Sequence, residues 1–185
     1  MDSEIVQDQN VRKAIEMGID KEGFCSVIME GRGIPAKGAF PGSFSYGNDA
    51  VETVSYDPEE AKKLLEKSGW TDTDGDGYVD KDGQKLTINW LTYPTRLEQP
   101  KLAEYAQATL KEIGIDVSVN NTSDHRTYAE NGEFDVYVSS LTTAPTGDPE
   151  YFFSSTVTGS KNYGNYQNDE VTKLTEQLHQ TFDTD

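Results

Sequence analysis

The sequence predicts an α/β domain in which a mostly parallel sheet is flanked by helices. Two observations carry this prediction. Strand-like and helix-like segments alternate through the middle of the chain, as strand–crossover–strand units do. Aromatic residues are plentiful, with ten Tyr, seven Phe and two Trp, although the mean hydropathy is only −0.71. A disordered chain would carry far fewer aromatics, so a folded core under a very polar surface is implied. The 185 residues suffice for one ordinary domain, and 1–185 is read as a single domain.

Val11, Ala14, Ile15 and Ile19 recur at three- and four-residue spacing, which predicts a first helix. Asp20 then reads as the cap of a short second helix running to Met29. Residues 31–55 carry Gly, Pro and Ser throughout, and so predict a loop whose length needs a reason. Asp57-Pro58-Glu59-Glu60 is a helix start: Asp57 caps, Pro58 takes the first turn and Glu60 sits at the capping-box position. Ala61, Leu64 and Leu65 supply its buried stripe, and Ser68-Gly69 ends it.

Lys85–Leu91 alternates apolar and polar residues and predicts a strand. Leu102, Tyr105, Ala106, Thr109, Leu110 and Ile113 form one face of a long helix that stops at Gly114. Ile115–Val119 predicts a second strand, Ser123–Glu130 a short polar helix, and Phe134–Ser140 a third strand. A last helical run covers Val171–Phe182. In such sheets ligands sit beyond the carboxyl ends of the strands, so the loop Leu141–Pro149 is the first place to look for a site. Tyr93 follows the first strand at the same kind of position. Asn162-Tyr163-Gly164-Asn165-Tyr166 combines aromatic faces with amide groups, which suits small polar or cationic ligands and suits ordinary loop packing equally.

The formal net charge is −17. Such a field repels phosphate backbones and anionic lipid, which argues against nucleic acid and membrane surfaces as partners. The single Cys25 rules out an internal disulfide and reads as a buried filler among Phe24, Val27 and Ile28. No window approaches the ~20 apolar residues of a membrane span, and the start shows no signal-peptide pattern. Both ends read as cuts within a longer protein. His125 and His179 lack metal-ligand spacing and read as surface residues. No nucleophile elbow, zincin or P-loop motif occurs, which argues against a hydrolase.

The sharpest local motif is Asp72-Thr73-Asp74-Gly75-Asp76-Gly77-Tyr78-Val79-Asp80. It matches the opening of a calcium loop, with Asp72, Asp74, Asp76 and Asp80 as candidate ligands of a structural calcium. The twelfth position is Gly83, where an EF-hand needs a bidentate Glu, and no second helix is predicted after it. A hairpin turned by Asp-Gly pairs accounts for the same residues. A calcium-dependent interaction module built on this loop is the alternative from a different functional class.

Several segments in order resemble one family. They are Val11-Arg12-Lys13-Ala14-Ile15 with Gly18-Ile19-Asp20-Lys21, then Tyr56–Leu65 followed by Ser68-Gly69-Trp70. The Asp-Gly hairpin, Leu91-Thr92-Tyr93-Pro94, Leu110 to Ile115 and Phe134-Asp135 continue the order. The set is similar to the peptide/nickel group of ABC-transporter solute-binding proteins and spans nearly the whole chain. The resemblance implies the second, C-terminal lobe of a type II periplasmic-binding-protein fold, whose N-terminal lobe lies elsewhere in the same protein. It implies capture of a peptide, or of nickel or a nickel chelate, outside the membrane. Delivery to an ABC permease and ATPase complex would follow, with no enzymatic step and no cofactor apart from the candidate calcium. The expected location is the cell surface, as a lipoprotein, or the periplasm.

By the same resemblance Thr142, Thr143, Ala144, Pro145, Thr146, Tyr163 and Asn165 would line the cleft, joined by Tyr93 and Arg126. Peptide binders of the family carry an Asp that meets the peptide's amino terminus, and that position falls near Pro145. The Ala144-Pro145 and Asp148-Pro149 arrangement is closer to the nickel branch, with Thr142 and Thr146 where that branch places aromatics and Asn165 where it places a His. Asp148 reads as the cap of the helix that follows.

Overall fold

A computed structural model describes residues 4–44, 46, 51–141 and 147–181. Where the sequence suggests one domain, the chain divides into two compact units, Met1–Pro35 with Glu52–Ser139, and Ala36–Val51 with Ser140–Asp185.

The first unit opens with a 3₁₀ turn at Ile5–Gln7 and then α1 (Gln9–Gly18), capped by Asp8 through the amide of Asn10. α2 (Lys21–Gly23) is capped by Asp20, which accepts from the Gly23 amide at 2.7 Å. It runs on as a π-helical turn over Phe24–Ile28, so the predicted second helix is present but changes its winding midway. α3 (Pro58–Lys67) starts as predicted, with Asp57 Oδ1 accepting from the Glu60 amide at 2.9 Å and Pro58 in the first turn.

The strand expected over 85–91 is split. β1 (Asp80–Lys81) and β2 (Gln84–Lys85) form a hairpin, and β3 (Thr87–Thr92) begins after it. The two-residue turn between them, Asp82-Gly83, has φ of 54° and 74°. Two positive φ values match the right-handed twist of the flanking strands, which is why Asp-Gly closes such turns. After β3 come α4 (Glu98–Lys111), β4 (Asp116–Asn121), α5 (His125–Glu130) and β5 (Val136–Tyr137).

β3 lies between β4 and β5, and both pairings are parallel. All six residues of β3 pair with β4, but only Trp90 and Leu91 pair with β5. β5 is therefore much shorter than the strand expected over 134–140. Its entry is held by Asp135, whose Oδ2 accepts from the Asn89 amide at 2.7 Å and the Asn89 side chain at 3.0 Å. Main-chain bonds continue on either side, from Asp135 N to Asn89 O and from Val138 N to Leu91 O.

Ile88 and Trp90 join one buried cluster with Val11, Ala14 and Ile15 of α1, Ala61 and Leu65 of α3, and Ala106 and Leu110 of α4. Strand side chains alternate, so Leu91 and its β5 partner Tyr137 face the opposite side, toward α5. Leu65, Leu86, Ile88, Leu110, Ile113 and Ile115 are at most 1% exposed. Each contributes about 1.5–3 kcal/mol by leaving water.

The second unit contains α6 (Glu150–Phe152), a π-helical turn over Phe153–Val157, and α7 (Asp169–Gln180) capped by Asn168. Among the described residues no helix or strand lies between Ile28 and Pro58, as the composition of 31–55 predicts. Part of this loop has a packing role. Phe40 is 7% exposed and meets Tyr46, Phe152 and Phe153 with ring centroids 5.4–5.9 Å apart.

Gly114 ends α4 with φ +80°, and a Cβ there would stand 2.8 Å from Val79 Cγ1 and 3.1 Å from Val79 N. Gly75 has the same φ with nothing within 4 Å. Gly114→Ala is expected to cost roughly 2–4 kcal/mol in urea unfolding, and Gly75→Ala only about 1 kcal/mol, because the second change adds strain without a clash.

Candidate functional site

Parallel strands put their carboxyl ends on one rim. Here that rim is made by the residues after Thr92, Asn121 and Tyr137. Tyr93, directly after β3, is 9% exposed, and its ring stacks on His125 with centroids 4.1 Å apart and planes 22° apart. Gln99 Nε2 donates to Tyr93 Oη at 3.2 Å, tying the tyrosine to α4. His125 Nδ1 lies 2.6 Å from Tyr137 Oη, a hydrogen bond whose direction follows the imidazole tautomer. The Tyr137 ring in turn packs on Phe134 at 5.7 Å.

This cluster joins the end of β3, the start of α5 and the end of β5. Burial pushes the His125 pKa below its ordinary value, the Arg126 guanidinium lowers it further, and Asp124 opposes both. The neutral imidazole is thus favoured near pH 7, keeping one ring nitrogen as an acceptor.

Tyr93 is placed at the rim as the sequence suggests, but its ring supports neighbours and offers little surface to a ligand. Arg126, second in α5, is exposed. In the other unit Tyr163 and Asn165 share one turn. Asn162 closes it by accepting from the Tyr166 amide at 2.9 Å and donating to the Tyr166 carbonyl at 2.8 Å. Asn165 is exposed with φ 51°, a conformation that Asn tolerates better than most residues. Thr142, Thr143, Ala144, Pro145 and Thr146 lie outside the described residues. Asp148 accepts from the Glu150 amide at 2.9 Å, but Pro149 and not Asp148 stands at the N-cap of α6.

Sequence reasoning passed over His125 as a surface residue, whereas it is half-buried at the centre of the rim cluster. The available signal was that the helix predicted over Ser123–Glu130, which carries it, follows the carboxyl end of the second predicted strand.

The family model described as "Bacterial extracellular solute-binding proteins, family 5 Middle" matches residues 1–164. The chain belongs to this family. The oligopeptide-binding protein AppA of Bacillus subtilis (strain 168) is 33% identical over 183 residues, which are 93% of this chain and 33% of that protein. The nickel-binding periplasmic protein of Escherichia coli (strain K12) is 33% identical over 147 residues, 78% of this chain and 28% of that one. The crystal structure of NikA from Brucella suis in complex with Fe(III)-EDTA matches 99% of this chain and 38% of its own, with a TM-score of 0.83 and 26% identity. The family-5 chain therefore spans about a third of the length of the curated relatives it matches. These likenesses confirm the α/β solute-binding lobe expected from the sequence, and they lend no support to a calcium-dependent interaction module.

In the Asp-rich loop of this family-5 chain, Asp72, Asp74 and Asp80 bring one carboxylate oxygen each to within 4.8 Å of one another. Asp76 is drawn to Lys85, whose Nζ lies 2.7 Å from its Oδ2 and holds its carboxyl below the usual carboxylate range. The other carboxylates brace the turn. Asp72 accepts from the amides of Gly75 at 2.7 Å and Gly77 at 3.0 Å, and Asp80 accepts from the amide and hydroxyl of Thr73.

Two measurements check these readings. The His125 resonance is expected to titrate below 6.5 and to move upward in Arg126→Gln. Because the folded state then binds fewer protons than the unfolded one, the stability contributed by neutral His125 is present above that pH and is lost as pH falls through it. Asp72→Ala should speed amide exchange at Gly75 and Gly77 and lower stability by roughly 0.5–1.5 kcal/mol, since it removes two hydrogen bonds from an exposed loop.

Proposed function

We propose that this chain is one lobe of the substrate-binding component of an ABC importer. It captures a peptide, or nickel as a chelate, outside the membrane and hands it to the permease. The observation that carries this reading is the family match over residues 1–164, on a chain whose three parallel strands end at one rim. Relatives named for oligopeptide and for nickel binding support the ligand class.

In this reading the chain binds and releases without a chemical step. Amides and backbone groups of Thr142–Thr146 and Asn165 meet polar ligand atoms, the Tyr163 ring meets apolar parts, and Arg126 meets anionic groups. The N-terminal lobe of the same protein closes over the ligand and excludes water, which strengthens every polar contact inside. The partners are that lobe, the permease and its ATPase. The location is the periplasm or the cell surface, with a lipid anchor. Among the described residues no helix is long and apolar enough to cross a membrane.

The test uses the full-length protein in thermal-shift and calorimetric titrations against two probes, an oligopeptide pool and nickel(II) with two equivalents of L-histidine. Binding of one probe, with a rise in Tm, is expected. A hundredfold excess over Kd adds about 2.7 kcal/mol to the bound state, well within detection. No shift and no heat with either probe would overturn the ligand class.

A further inference from the structure

We propose that a polar trough on the α5 face of the sheet is a second ligand site, distinct from the strand rim, and that it takes a small primary amine as its ammonium ion. The proposal goes beyond the transport reading and does not rest on it. Every residue that lines the trough belongs to the first unit.

A parallel sheet is ordinarily covered on both faces and carries apolar side chains on both. Here the two faces differ. Ile88 and Trp90 of β3 and Val117 of β4 enter the core on one side. On the other side Asn89 and Leu91 of β3 stand beside Ser118 and Asn120 of β4, their partners in register. Only Leu91 of these is apolar, and Asn89 and Ser118 are exposed. In the first unit α5 packs against β3 on this side. Its six residues span roughly 9 Å, against roughly 20 Å for the six of β3. Part of the polar face is therefore left uncovered. The gap is a trough of about 580 Å³, lined by Asn89, Ser118 and Asn120 of the sheet and by Tyr128, Glu133 and Asp135 around it. Sites for small molecules have this size.

The lining decides the ligand class. It carries two carboxylates and no Lys, Arg or His. Asp135 is only 4% exposed, yet among the described residues it pairs with no cation. Asn89 supplies both hydrogen bonds to its Oδ2, and no described donor reaches Oδ1. Glu133, two positions earlier, is held in the same manner, with Oε1 accepting from Asn131 Nδ2 at 2.8 Å. Neutral amide donors fix a carboxylate in place without cancelling its charge. A partly desolvated, negative and pre-oriented site remains. An ammonium group answers it with one positive charge and three donors. The apolar part of the same ligand would lie against Leu91 and Tyr128, which also line the trough. An anion would be repelled, and a neutral alcohol would leave the charge unanswered.

The test titrates the full-length protein with n-butylammonium chloride at constant ionic strength. Sodium butyrate and 1-butanol are the anionic and neutral controls. The readout is the backbone amide resonances of Asn89, Ser118 and Asn120, with those of α1 and α4 as reference. The amine should give saturable shifts at the trough with a Kd of roughly 1 mM, and the controls should not. Asp135→Asn keeps an acceptor for Asn89 and should weaken the amine about tenfold; Glu133→Gln, at an exposed position, should weaken it about fivefold.

No saturable shift at the trough would overturn the proposal. Equal shifts with 1-butanol would overturn it as well, marking an apolar groove without charge recognition. If Asp135→Asn also displaces the α1 and α4 signals, Glu133→Gln decides, and undiminished affinity in that variant would overturn the assignment. Binding of peptide or nickel at the rim does not enter this readout, so the two readings fail separately.

Discussion

The parallel ladder on β3 is the constraint that the first unit depends on. β3 is paired with β4 along its whole length, and its Ile88 and Trp90 enter the cluster formed with α1, α3 and α4. Because the ladder is parallel, each return to the sheet must travel its full length, and α4 and α5 are the segments that make those returns. The same geometry brings the ends of β3, β4 and β5 to one rim. Core and candidate site are thus two consequences of one pairing.

Much of the acidity that dominates the composition has a local job. Asp8, Asp20 and Asp57 each accept a backbone amide at a helix start. There the unpaired N–H groups and the positive end of the helix dipole favour a carboxylate. Asp148 does the same for α6, and Asp72, Asp74 and Asp76 do it within one loop. Asp135 works between strands instead, at 4% exposure, and its two bonds from Asn89 offset what burial of a carboxylate costs. A net charge of −17 is therefore in part a record of how turns and helix starts are built.

At the rim, aromatic contact and hydrogen bonding act together. The stack of Tyr93 on His125 excludes water from one face of the imidazole, and the Tyr137 hydroxyl occupies Nδ1. A neutral ring in that setting adds rigidity without placing another positive charge beside Arg126. The other sequence-derived candidates divide by unit: Arg126 is exposed on α5, while Tyr163 and Asn165 belong to the Asn162-closed turn.

What the sequence by itself determined was whatever residues a few positions apart decide. Asp57-Pro58 and Asp20 mark helix starts and Gly114 marks a helix end, because each acts on backbone groups within one turn. Alternation and helical spacing placed β3, α4 and β4 to within a few residues for the same reason. Only the tertiary structure decided that β5 shrinks to two ladder residues, that Tyr93 turns inward, and that His125 bonds Tyr137 twelve positions away. Those outcomes depend on which strands become neighbours and in what register, and no short-range preference of Tyr, His or Asp carries that information.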